Sequence, residues 1–112
     1  MSDSKLTDDQ ERRLALVREG HTQVANIARD KTLIAIATQE GLYVRIDRRT
    51  AWGNPFILGK DGDRGTVIEK YANYLTKNPS LKNKSQDLRG KLLGCWCYPE
   101  DCHANVLIKG MF

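Results

Sequence analysis

Apolar positions switch between helical and strand spacing along the chain, and each switch marks an element. Leu14 and Val17, with Leu6 nearby, form a thin apolar stripe behind Thr7-Asp8-Asp9-Gln10, which has the spacing of a capping box. The acids of that turn suit the positive end of a helix dipole, and Gly20 is the expected stop. Residues 1–20 therefore read as a peripheral helix. Residues 22–28 alternate weakly and predict a strand. Asp30 can cap a second helix that runs to about Glu40 and ends at Gly41. Its centre, Leu33-Ile34-Ala35-Ile36-Ala37, is apolar on nearly every side, which predicts burial against a sheet. Leu42, Val44 and Ile46 then alternate with Tyr43, Arg45 and Asp47 as a second strand.

Trp52-Gly53-Asn54-Pro55-Phe56 is a turn with aromatic ends. Asp63 can cap a helix whose Val67, Ile68, Tyr71, Tyr74 and Leu75 share one face, and Asn78-Pro79 stops it. Ser80 opens a shorter basic helix to about Arg89, followed by Gly90. Leu92 to Cys97 is apolar and bounded by Gly90 and Pro99, the mark of a central strand. Asp101 precedes a last helix carrying Val106, Leu107 and Ile108. Strands alternating with helices predict an α/β fold: one small domain over residues 21–112, with a mainly parallel sheet of three or slightly more strands flanked by helices.

Composition narrows this picture. A chain of 112 residues and 12.7 kDa supports one core, with a radius of gyration of about 13 Å. No apolar run approaches the roughly 18 residues that span a membrane, and no signal-peptide core follows Met1, so a cytoplasmic protein is expected. The net charge of +4 is matched by residues 77–91 alone, where Lys77, Lys82, Lys84, Arg89 and Lys91 face only Asp87. Such a segment is either a solvated helix face or a patch for phosphate backbones.

The quoted motifs resemble the uncharacterised DUF4326 family (domain of unknown function) of bacteria and their phages. They are the Ile46-Asp47-Arg48-Arg49 run, Trp52 to Phe56, the stretch Leu88-Arg89-Gly90-Lys91-Leu92-Leu93-Gly94-Cys95-Trp96-Cys97, and Pro99-Glu100-Asp101-Cys102-His103. The resemblance covers roughly residues 22–110 and implies one domain with its site at these motifs, without implying a reaction. Where that family often has Gly-Asp after the Cys-His pair, this chain has Ala104-Asn105, an amide in place of a carboxylate that can orient a histidine.

Two clusters carry candidate chemistry. Cys95 and Cys97 project from the same strand face, and Cys102 and His103 return after a short connection. Three thiolates and an imidazole form a set for zinc, although the spacing is not that of a zinc finger. Alternatively, Cys102 near a helix start is a nucleophile with His103 as its base or acid, or the sulfurs are inert core. The second cluster is Arg45, Asp47, Arg48, Arg49, Trp52 and Asn54, with Arg64 able to reach the same cleft. Arginine forks and an aromatic face suit a nucleotide or nucleic-acid end; otherwise Trp52 and Phe56 anchor the turn and Asp47 pairs with an arginine. Lys60 to Gly65 is neither a calcium loop nor a phosphate loop, and His21 reads as a surface residue. The expected function is binding of a nucleotide or nucleic acid. An enzyme acting on such a substrate through Cys102 and His103 or a bound metal is the alternative, and a phage-type accessory protein that binds a host protein is a third.

Overall fold

Leu92-Leu93-Gly94-Cys95 lacks alternation because both of its faces are covered. The computed structural model describes residues 6–111 and places this segment, β3 (Leu92–Cys95), at the centre of a three-stranded sheet. It runs parallel to β1 (Gln23–Asn26) on one side and β2 (Tyr43–Arg45) on the other, in the order β1-β3-β2. Val24 and Val44 both pair with Leu93. The helices are α1 (Asp8–Arg18), α2 (Lys31–Gln39), α3 (Arg64–Thr76), α4 (Pro79–Lys84) and α5 (His103–Met111), with a 3₁₀ turn over Ser85–Leu88. The expected α/β architecture and parallel sheet are present. The basic helix starts one residue early, with Pro79 in its first turn, and tightens to the 3₁₀ turn at Ser85.

Each face of β3 has its own core. Leu93 and Cys95 meet Ile46, Tyr71, Leu75, Leu88 and Leu107 on the side of α3 and α5. Leu92 meets Leu14, Val17, Ala25, Leu33 and Ala37 on the side of α1 and α2. Full burial of a leucine stabilises by about 2 kcal/mol, so the pair Leu92 and Leu93 ties both layers to one strand. Tyr43, expected on the polar face of its strand, packs in the second core, and Leu42 packs there too rather than with Val44 and Ile46. The room comes from Gly94: a Cβ there would lie 2.1 Å from Tyr43 Oη. The helix α2 buries one side only, since Ala35 is exposed.

The helix α1 is more than peripheral. Thr7 and Gln10 form the predicted capping box. Behind them Arg13, only 3% exposed, donates to Val24 O (2.7 Å) and to both Asp30 carboxylate oxygens (3.0 and 3.1 Å). An apolar stripe cannot reveal a helix held by a buried arginine. Asp30 stands at the N-cap of α2 but does not cap it with its side chain. Its carboxylate instead accepts from Arg13, Gln10 Nε2 (2.8 Å) and the Asn26 amide (2.7 Å). Burial pushes the Asp30 pKa up, and the Arg13, Asn26 and Gln10 hydrogen bonds outweigh it, so the net shift is downwards.

Asp30→Asn leaves Arg13 as an uncompensated buried charge and is expected to cost about 3 kcal/mol in urea denaturation. Because the folded pKa is depressed, the contribution of Asp30 is complete above the ordinary carboxylate range and is lost as pH falls through the lowered value. Unchanged stability in the variant would contradict this role.

Candidate functional site

Parallel pairing sets the ends of β2 and β3 side by side, and Ile46 N continues the ladder to Gly94 O (2.9 Å). Asp47 follows, buried, and joins the two loops. Its carboxylate accepts from Arg45 Nε (2.8 Å), the Arg49 amide (3.2 Å) and Trp96 Nε1 (2.9 Å). Arg45 Nη2 completes the ion pair at 2.8 Å, and the same guanidinium lies 5.9 Å from the Trp96 ring centroid. The Arg45 hydrogen bond, aided by Trp96 and the Arg49 amide, outweighs burial and holds the Asp47 pKa at about 2.

The Trp52–Phe56 turn folds back on this joint. Arg48 donates to Asn54 O (3.1 Å) and Phe56 O (3.2 Å). Asn54 is spent on the turn itself: its Nδ2 donates to Val67 O (3.2 Å) and its Oδ1 accepts from Phe56 N (2.9 Å). Gly53 is required because a Cβ would stand 2.5 Å from Arg48 Cα. Tyr71 Oη donates to Trp52 O (2.8 Å), which pins the turn to α3.

These loops and the start of α5 enclose a cleft of about 440 Å³ beyond the carboxyl ends of β2 and β3, where open parallel sheets gather ligands. Arg45, Asp47, Arg48, Arg49, Asn54 and Arg64 all line it, as do Cys95, Cys97, Cys102 and His103. Trp52 does not. It packs against the core and borders a separate cavity with Tyr74, Leu81 and Lys84. The indole of the cleft is Trp96, 54% exposed. In the sequence Trp96 reads only as part of a strand. The signal that marks it is its phase, out of step with Cys95 and Cys97 at the strand's carboxyl end. Phe56 and Leu58 also line the cleft. None of the lysines of residues 77–91 does, and Lys77, Lys82 and Lys84 are exposed.

The Cys-His corner converges in part. Cys95 Sγ and Cys102 Sγ lie 3.3 Å apart, and Cys97 packs against the cluster that holds both and lines the cleft with Arg64. Arg64 also donates to Asp101 O (3.1 Å). From β1, Asn26 Nδ2 donates to Trp96 O (3.2 Å) and Tyr98 O (2.9 Å), fixing the path between Cys95 and Cys102. Cys102 opens α5. Its amide donates to Asn105 Oδ1 (2.9 Å), so the amide at 105 closes the helix start. His103 Nε2 lies 2.7 Å from Ile46 O. A carbonyl only accepts, so Nε2 carries the proton. Burial drives the His103 pKa down against the pull of that carbonyl, leaving a neutral ring at pH 7.

The three sulfurs are unequal. Hydrogen bonds from Cys102 and Cys95, joined by Arg64, push the half-buried Cys97 thiol down despite its burial. The Cys102 thiol, 4% exposed, is pushed up by Cys95 and Cys97. The expected nucleophile Cys102 is thus a buried thiol, and Cys97 is the more accessible of the three sulfurs. Among the described residues no group of three or more His, Cys, Asp or Glu side chains is disposed to hold a metal ion, and His103 is turned to a carbonyl.

Asp47→Asn is expected to cost about 2 kcal/mol, since it weakens charge-assisted hydrogen bonds to Arg45 and Trp96. With its pKa depressed from 3.8 to about 2, Asp47 supports the fold fully above pH 3.8 and less as pH falls towards 2. Trp96 fluorescence in a Trp52→Phe background follows that loss; an emission flat through this range would refute the joint.

The family model described as Domain of unknown function (DUF4326) matches residues 25–111. A curated relative, the "Uncharacterized 12.4 kDa protein in nrdA-td intergenic region" of Enterobacteria phage T4, is 36% identical over 69 residues. That similarity covers 57% of this chain and 62% of the relative's length. No solved structure matches the chain. Among the described residues no helix is long and apolar enough to cross a membrane.

Proposed function

The chain belongs to the DUF4326 family, and we propose that its arginine-lined cleft binds the phosphate-bearing part of a nucleotide or the end of a nucleic acid. The observation that carries this reading is the company kept in one cleft: Arg48, Arg49 and Arg64 beside the exposed ring of Trp96. Arginine forks hold phosphate oxygens bidentately, and an exposed indole stacks a base. The arginines have different duties. Arg45 is paired with Asp47, and Arg48 and Arg64 spend donors on backbone carbonyls. The Arg49 guanidinium has no partner among the described residues and is exposed, which leaves its whole fork to a ligand. The reading takes the protein as cytoplasmic, a compartment that keeps free cysteines reduced.

Titration of the protein with mononucleotides and with short single-stranded DNA tests this by calorimetry and fluorescence anisotropy. Replacing Arg48 and Arg49 together by alanine is expected to weaken binding by about 3 kcal/mol, roughly a hundredfold. Arg49→Ala alone is expected to weaken binding with no loss of thermal stability. Affinity is expected to fall with rising salt. Binding that survives the double replacement overturns the reading, and zinc found in the purified protein would move the Cys-His corner to a structural metal role.

A further inference from the structure

The cleft wall holds a second chemistry that phosphate binding does not use. Cys95, Cys97 and Cys102 bring three free sulfurs to one corner, and no two of them are joined. Cys95 and Cys102 are buried in the core, 3.3 Å apart, whereas Cys97 is half-buried on the cleft wall and packs against the cluster that holds them. One sulfur that meets solvent, backed by buried sulfurs in the cluster it packs against, is the layout of thiol–disulfide exchange. The surrounding arginines add selection, because they draw carboxylates towards Cys97.

We propose that this corner is a thiol–disulfide exchange site for a small anionic disulfide, with Cys97 as the attacking sulfur and Cys102 as the resolving one. The Cys97 thiolate, its proton passed to solvent, attacks one substrate sulfur. A Cys97–substrate bond forms, the substrate S–S bond breaks, and the first half leaves as a thiolate. Cys102 then attacks the Cys97 sulfur. A Cys97–Cys102 bond forms, the mixed disulfide breaks, and the Cys102 proton goes to the second departing thiolate. The substrate disulfide is reduced by two electrons, and the two cysteines are oxidised by two. The Ala104 amide, 3.4 Å from Cys102 Sγ, donates to that sulfur as it gives up its proton. The proposal shares the cleft with the phosphate-binding reading but not its ligand, so loss of nucleotide binding and loss of exchange are separate results.

The test mixes the reduced full chain with glutathione disulfide, and in parallel with the uncharged bis(2-hydroxyethyl) disulfide. Samples are quenched in acid for intact-mass and peptide analysis, and metal content is measured on the same preparation. Expected are a transient single glutathionyl adduct on Cys97, its conversion to a Cys97–Cys102 disulfide, and a rate at least about tenfold above that of the uncharged disulfide. Cys97→Ser should abolish the adduct. Cys102→Ser should trap it, and early quenching of the unaltered chain reports the same adduct if that variant folds poorly. An adduct first formed on Cys95 or Cys102, exchange unchanged in Cys97→Ser, equal rates for the two disulfides, or one tightly bound zinc per chain with unreactive thiols would each overturn the proposal.

Discussion

The Asp47 carboxylate is the joint on which the candidate site depends. It gathers Arg45, the Arg49 amide and the Trp96 indole at the point where β2 and β3 release their chains. Without a buried negative charge there, Arg45 would repel its neighbours Arg48 and Arg49, and Trp96 would lose the contact that sets its ring against the cleft. Pairing one of the arginines internally leaves the others to present positive charge outward. A carboxylate held at about 2 stays ionised under all ordinary conditions, so the joint is a fixed part of the frame.

A second ionic centre supports the other side of the same corner. Arg13 and Asp30 fasten α1 and α2 to β1, and the Arg13 guanidinium lies 4.3 Å from the centroid of the Tyr98 ring. Tyr98 is also held by Asn26, through its carbonyl, and by Asp9, through its hydroxyl. The segment that carries Cys97 is therefore clamped from the α1 side, while α3 and α5 press on it from the opposite face. Buried ion pairs are costly to desolvate, and here each carboxylate is supplied with at least three donors. That satisfaction is what lets a small domain keep charge beside its core.

Most of the fold was legible in the chain because each element carries its own local signal. The capping box at Thr7, the cap at Asp63 and the apolar face of Val67, Tyr71 and Leu75 all lie within a few residues of what they control. The unbroken apolar run at Leu92 announced a strand covered on both faces. What escaped was long-range. Tyr43 crosses to the second core because Gly94, far along the chain, leaves it space. Arg13 is buried because Asp30 meets it. Site residues were legible as a neighbourhood and less so as individuals. Trp52 and Trp96 are equally conspicuous in sequence, and only the folded turn turns one inward and leaves the other facing the cleft. Cys102 is buried and Cys97 half-buried for the same reason, since burial is set by how α5 docks on the sheet.

The central claim is that the cleft beyond β2 and β3 receives a phosphate-bearing ligand. Backbone and indole chemical shifts of the isotopically labelled protein, followed through a titration with a mononucleotide, test it most directly. The account predicts saturable shifts at residues 45–49, at 95–97 and at the Trp96 indole N–H, with the Trp52 indole left in place. Shifts confined to the basic segment 77–91, or none at saturating ligand, would contradict it.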